Sequence, residues 1–274
     1  GFVGKALKSG LNSSTEVFII DPKLNTYEKD LLSFNPEIIF ICVPTPMSDD
    51  GTQDISILSA VIDNLKKLDF TCPLILKSTV LPNILEKLSE EISKLVYNPE
   101  FLREKHANKD FINPNMIVIG SKNNDATKFL ENFYRKHTNC KCKKYIKTDL
   151  ITASFIKYTI NSYLATKVSF FNELSNIFSK SNSSETWTNF IEYLSCDQRL
   201  GSSHMSVPGH DGKLGFGGAC LPKDSMAFIK FAESYDSELN VLNTAITVNN
   251  TIRQQYNNDQ RESDQNINFF EKNN

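Results

Sequence analysis

The sequence predicts an α/β protein: a doubly wound, mostly parallel sheet followed by an all-helical domain. Three observations carry this. Short apolar runs rich in Ile and Val alternate with amphipathic stretches up to about residue 147. From Thr148 to Lys180 there is neither Gly nor Pro. Beyond it, further helix-like segments flank one loop rich in Gly and Pro, 201–218. A chain of 274 residues is long enough to give two such domains a core each.

The elements follow in order. The opening "GFVGKALKSG" reads as a glycine turn entering a helix. Strands are expected at "TEVFIID" (15–21), "EIIFICV" (37–43), "PLILKST" (73–79), "KLVYN" (94–98) and "NMIVIG" (115–120). Nearly continuous apolar character is how strands buried on both faces read. Amphipathic segments such as "DISILSAVIDNLKKL" lie between them, the pattern of a parallel sheet with crossover helices. In the long helix Ile156, Ile160, Leu164, Val168 and Phe171 recur at spacings of three and four, and Thr148 or Thr152 can cap its start. Helices are also expected at 185–196, at 222–234 and through "VLNTAITVNNTIRQQY". The expected domains are 1–147, a nucleotide-binding domain, and 148–256, a helical domain, with 257–274 a polar and poorly ordered tail.

Composition narrows the function. Hydrophobic content of 40% and charged content of 23% suit a soluble globular protein. A net charge of −2 offers no basic field for nucleic acid and no polybasic membrane patch. No apolar run approaches the roughly 18–20 residues that span a bilayer. Six cysteines without a secretory signal suit reduced thiols and a cytoplasmic setting. Cys140 and Cys142 form a C-x-C with no second metal-type pair, so no metal site is expected.

The chain opens on what reads as the second half of a Gly-x-Gly-x-x-Gly turn. We therefore expect it to be a piece of a longer chain whose first fingerprint glycine and first strand precede Gly1. Gly1 and Gly4 fit the second and third glycines of that turn, which admit a pyrophosphate and close helix packing. Asp21 closes "VFIID" where a ribose-binding acid belongs, and its charge favours NAD over NADP. Together these make the first domain Rossmann-like, although a glycine turn with an ordinary surface Asp reads the same way. Thr45 in "CVPTP" and Thr79 in "KSTVLP" end strands, where ligands of such sheets bind, and are also common turn residues.

Further candidates are spaced for chemistry. Glu100 and Glu104 in "NPEFLREKHANKDF" share a face if that stretch is helical, for acid–base work or as a solvated surface turn. Lys157 and Asn161 lie four apart on the long helix, where a lysine can also merely snorkel. "GFGGACLPKD" (215–224) crowds three glycines against Cys220, Lys223 and Asp224. A thiol used only for packing needs no such backbone freedom beside it.

Taken in order, "GFVG", "VPTP", "STVLP", "NPEFLRE", "KYTINSYLATKVSFFNE", "DQRLG" and "GFGGACLPKD" resemble the UDP-glucose 6-dehydrogenase family of nucleotide-sugar dehydrogenases (the UDP-glucose/GDP-mannose dehydrogenases). The resemblance implies oxidation of a sugar C6 alcohol to a carboxylate by two NAD. It implies that Lys157, Asn161 and Asp224 surround the reacting oxygen and that Cys220 forms a thiohemiacetal and then a thioester. Glu100 and Glu104 would serve the hydrolysis, with Thr79 in the water and cofactor network. Gly1, Val3, Gly4, Asp21, Thr45, Thr79, Glu104 and Lys223 would face the cofactor. Glu100, Phe101, Leu102, Arg103, Lys157, Asn161 and Gly217 would line the substrate. Arg199 would reach a neighbouring subunit's substrate, in a homodimer joined through the helical domain.

UDP-glucose is the expected nucleotide sugar, with GDP-mannose, a UDP-N-acetylhexosamine, or a non-catalytic paralogue as alternatives. Two departures stand out. The family's C-terminal UDP-binding domain is expected to lie beyond this chain, and the "VPGHDGK" segment is not found in every branch.

Overall fold

The computed structural model describes residues 1–269. It divides the chain into two compact units, Gly1–Thr45 with Asp54–Lys157, and Pro46–Gln53 with the chain from Tyr158 onward.

In the first unit the strands are β1 (Ile39–Ile41), β2 (Leu74–Leu76), β3 (Leu95–Tyr97), β4 (Ile117–Gly120) and β5 (Tyr145–Thr148). They lie side by side in that order, parallel except where Tyr97 of β3 meets Gly120 of β4 antiparallel. The helices are α1 (Phe2–Gly10), α2 (Leu31–Phe34), α3 (Ser56–Lys67), α4 (Pro82–Glu91), α5 (Ala107–Ile112) and α6 (Asn124–His137), and α7 (Leu150–Lys180) begins here.

Alternate strand residues feed two cores. Leu74, Leu76, Leu95, Tyr97 and Val118 pack with Leu58, Ile62 and Leu65 of α3 and Leu85 of α4. Ile75, Val96, Ile117 and Ile119 pack with Ala6 and Leu7 of α1 and with Leu130, Phe133 and Tyr134 of α6. Both sheet faces are therefore covered, which is why the strand sequences are apolar throughout. Each such Leu or Ile contributes about 1.5–3 kcal/mol by leaving water.

The second unit is helical: the rest of α7, then α8 (Trp187–Ser195), α9 (Leu221–Glu233), α10 (Asn240–Arg253) and α11 (Gln260–Ser263). Phe178 of α7 stacks on Phe190 of α8 at 4.8 Å and meets Trp187 edge-on at 5.7 Å. Residues 46–53 join this unit through Met47 N to Gln265 O (3.1 Å) and Gln53 Nε2 to Tyr158 OH (3.0 Å). Among the described residues no helix is long and apolar enough to cross a membrane.

The α/β class, the parallel-dominated sheet and the helical second half are as expected, with five corrections. Residues 15–20 form no strand: they pair with none of the described strands, and Val17, Phe18 and Ile19 are exposed. β5 was not anticipated; its short "YIKT" lies among lysines and carries no long apolar run. The start of α7 is capped by Asp149, not by Thr148 or Thr152. Its carboxylate accepts from Thr152 N (2.8 Å) and Oγ1 (2.7 Å), and those bonds hold the carboxyl below its usual range.

Glu100 and Glu104 share no helical face: 98–103 is irregular and Glu104 opens a short 3₁₀ turn, Glu104–His106. Pro99 already disfavours helix at this point. Finally, the tail is ordered through Phe269. Asp259 caps α11 reciprocally with Glu262, and Ile267 and Phe269 are buried. Residues 270–274 of the expected tail lie outside the described residues.

Candidate active site

All the cofactor candidates except Lys223 belong to the first unit. Gly1 is the N-cap of α1 and has no side-chain capping bond, so the first amides of the helix keep no side-chain acceptor. A Cβ on Gly4 would touch only Cys42 Cβ, at 3.8 Å. Val3 is half-buried on the same helix. The carboxylate of Asp21 accepts from Lys23 N (3.0 Å) in the turn that follows it. Thr45 and Thr79 are buried and tied together, Thr45 Oγ1 donating to Thr79 O at 2.9 Å. A helix that starts at glycine and hydroxyls just past the strand ends are the kinds of group a dinucleotide site uses.

The same unit contains a buried ion pair. Lys157 Nζ donates to Glu100 O (2.7 Å) and to its Oε1 (3.2 Å), and lies 5.4 Å from the centre of the Phe101 ring. Leu102 N donates to Glu100 Oε2 at 2.5 Å, so both carboxylate oxygens are engaged. Arg103 is exposed, forked onto Asp110 through Nε (2.9 Å) and Nη2 (2.7 Å), which lowers the pKa of that carboxyl. Glu104 is exposed.

Beneath this segment lies a group the sequence reading missed. Lys77 is buried at the end of β2 and donates to Asn98 O (3.2 Å), Asn98 Oδ1 (3.0 Å) and Tyr134 OH (3.3 Å). Burial depresses its pKa. Tyr134 OH and Asn98 Nδ2 complete the network, donating to Asn98 Oδ1 (2.6 Å) and Val118 O (2.7 Å). A lysine inside "LILKST" was the available signal.

The second unit brings Asn161, Cys220, Lys223 and Asp224 together. Cys220 is half-buried and is the N-cap of α9, with Pro222 and Asp224 in the first turn. Pro there costs no helix hydrogen bond, and an acid there is favoured by the helix dipole. Asp224 N closes the turn onto Cys220 O at 3.0 Å. The Asp224 side chain is 1% exposed, and accepts from Asn161 Nδ2 (2.6 Å) and Lys223 Nζ (2.5 Å).

Arg199 is exposed and pairs with its own neighbour Asp197. Gly217 faces inward: a Cβ there would overlap Arg253 and Glu262, two more residues the sequence reading passed over. Along the chain, Lys157 ends the first unit's share of α7, and Asn161 follows one turn later in the second's.

The chain is similar to known proteins over most of its length. Residues 23–138 match the NAD binding domain of the UDP-glucose/GDP-mannose dehydrogenase family, and 151–251 match its central domain. A UDP-glucose 6-dehydrogenase of Rickettsia felis is 34% identical over 82% of this chain and 50% of its own length. One from Bacillus subtilis is 32% identical over 90% and 56%. The solved structure of a UDP-glucose dehydrogenase from Pyrobaculum islandicum superimposes with a TM-score of 0.70 at 29% identity, covering 82% of this chain and 53% of that one. The chain thus spans about half the length of the curated relatives it matches. With both domain models matched in order along one chain, this protein belongs to the UDP-glucose/GDP-mannose dehydrogenase family.

Proposed function

We propose that the protein of which this chain forms part oxidises UDP-glucose to UDP-glucuronate with NAD, in a cytoplasmic setting that suits its six free thiols. The observation that carries the reading is Cys220 at the mouth of α9, one turn from the buried Asp224 held by Asn161 and Lys223. A packing cysteine has no use for a fixed buried carboxylate at its side. The names of the relatives favour UDP-glucose over the other nucleotide sugars.

NAD, when bound, supplies the hydride acceptor. The amides at the start of α1, Asp21, Thr45 and Thr79 suit its phosphates and ribose, with Val3, Glu104 and Lys223 also assigned to it. The chain's own residues divide the remaining work. Asp224 and Asn161 hold the C6 hydroxyl and its proton, and the Lys157 ammonium steadies the oxyanion that follows. Cys220 as thiolate adds to the aldehyde carbon. The later thioester is cleaved by water with Glu100 or Glu104 as base. Phe101, Leu102, Arg103 and Gly217 line the sugar.

Asp21→Ala tests the cofactor half. Loss of a charged ribose acceptor should raise the KM for NAD about tenfold and narrow the preference over NADP. Unchanged kinetics with both cofactors would put the nucleotide elsewhere.

The working unit in this proposal is a homodimer joined through α7. Phe171 and Phe178 turn inward, but Tyr163, Phe170 and Ile177 are 59%, 58% and 67% exposed at a spacing of seven, a stripe along one helix face. Phe170→Asp should convert a dimer to monomers in light scattering. In the dimer Arg199→Ala should weaken nucleotide-sugar binding and spare NAD. An unmutated protein that is monomeric and fully active would rule this assembly out.

A further inference from the structure

We propose that Asn249, Arg253 and Glu262 form a buried clamp whose task is to position the segment Gly215–Gly218, and through it Cys220. The inference rests on the role given above to Cys220. Arg253 and Glu262 lie beyond the residues matched by the family's central domain.

The clamp acts on backbone groups one by one. Asn249 Oδ1 accepts from Phe216 N (2.5 Å) while its Nδ2 donates to Phe216 O (3.0 Å), so one amide side chain serves both polar groups of one residue. Glu262 Oε1 accepts from Gly218 N at 3.0 Å, and Arg253 Nη2 holds that same oxygen at 2.5 Å. Arg253 Nη1 reaches back to Asp211 Oδ2 (2.9 Å), four residues before the segment. Glu262 Oε2 is fixed by Asp259 N at 2.8 Å. From α7, Asn172 Oδ1 accepts from Gly215 N at 2.9 Å.

The glycines answer to the clamp. Gly215 has φ +74°, and a Cβ there would come within 2.5 Å of Asn249 Oδ1. Gly217 would drive its Cβ into Arg253 and Glu262. The glycine-rich stretch before the thiol is therefore demanded by side chains behind it, whatever lies in front.

Net stability does not explain the ion pair. Arg253 and Glu262 are 1% and 0% exposed, and desolvating two charges offsets much of their attraction, so an apolar pair of similar volume is often as stable. An apolar pair cannot accept from Gly218 N. The polar choice therefore serves conformational specificity, two residues before Cys220.

The test separates positioning from folding. Arg253→Met with Glu262→Leu removes both charges together; it also frees Gly218 N, Asp259 N and Asp211, so the melting temperature should fall, and the folded variant is compared well below it. Hydrogen exchange of the 213–220 backbone should then rise at least tenfold. The alkylation rate of Cys220 by iodoacetamide should change, and kcat should fall at least tenfold with the KM for NAD unaltered. A folded double variant with unchanged exchange and alkylation overturns the clamp.

Glu262→Gln, which keeps the shape and the acceptor but not the charge, should loosen the segment less; full loosening or none overturns the ranking and with it the clamp. In the unmutated protein the amides of Gly215, Phe216 and Gly218 should exchange as slowly as the centre of α10, and fast exchange there overturns the clamp without any variant. Exchange and alkylation need no substrate. Failure of the proposed reaction would therefore appear as an unmutated protein with a protected segment but no nucleotide-sugar oxidation.

Discussion

Cys220→Ser is expected to stop formation of the sugar acid, lowering turnover by roughly 10³-fold or more, while the protein folds and binds NAD as before. The substitution changes one atom at a half-buried helix cap. A serine at that cap is if anything favourable, so no stability loss confounds the result. The hydroxyl is a far weaker nucleophile than a thiolate at neutral pH. The first oxidation needs no covalent bond to the enzyme, so the variant should still make aldehyde, detectable with a carbonyl-trapping hydrazine. Acid production at the unmutated rate would sink the covalent route.

Much of this site was legible in the sequence because its residues sit at punctuation. Gly and Pro mark strand ends and helix starts, and the chemistry-bearing side chains of an α/β protein gather at those places. Cys220, Lys223 and Asp224 were visible for that reason, and so were Thr45 and Thr79. Four of the five strands stood out because burial on both faces leaves an unbroken apolar run. β5 did not, since its residues are only partly covered and alternate with lysine.

The failures share a physical cause: a local pattern states a capacity, and tertiary pairing decides whether it is used. "TEVFIID" has strand composition but pairs with none of the described strands. Glu100 and Glu104 have helical spacing, yet Pro99 and the pull of Lys157 on Glu100 set another path. Arg253 and Glu262 read as surface charges in a polar stretch, because a buried ion pair has no sequence signature until its partners are in place. The same polarity made residues 257–269 look like a loose tail, when their carboxylates are what orders them.

The Lys157–Glu100 pair offers a test in which stability and catalysis should come apart. Both side chains are buried, and Lys157 Nζ is bonded to the carboxylate and the carbonyl of Glu100. Lys157→Met should therefore cost about 3–5 kcal/mol of folding stability, since it leaves a carboxylate in the interior without its cation. Turnover should fall by about 10²–10³-fold as the charge assigned to the oxyanion is lost. Adding Glu100→Leu to that variant removes the stranded carboxylate, so most of the stability should return. Activity should not return, because neither the cation nor the candidate base has been restored. If the double variant instead recovered turnover along with its melting temperature, the pair would be a structural strut, and the chemistry would belong to Asn161, Cys220 and Asp224 alone.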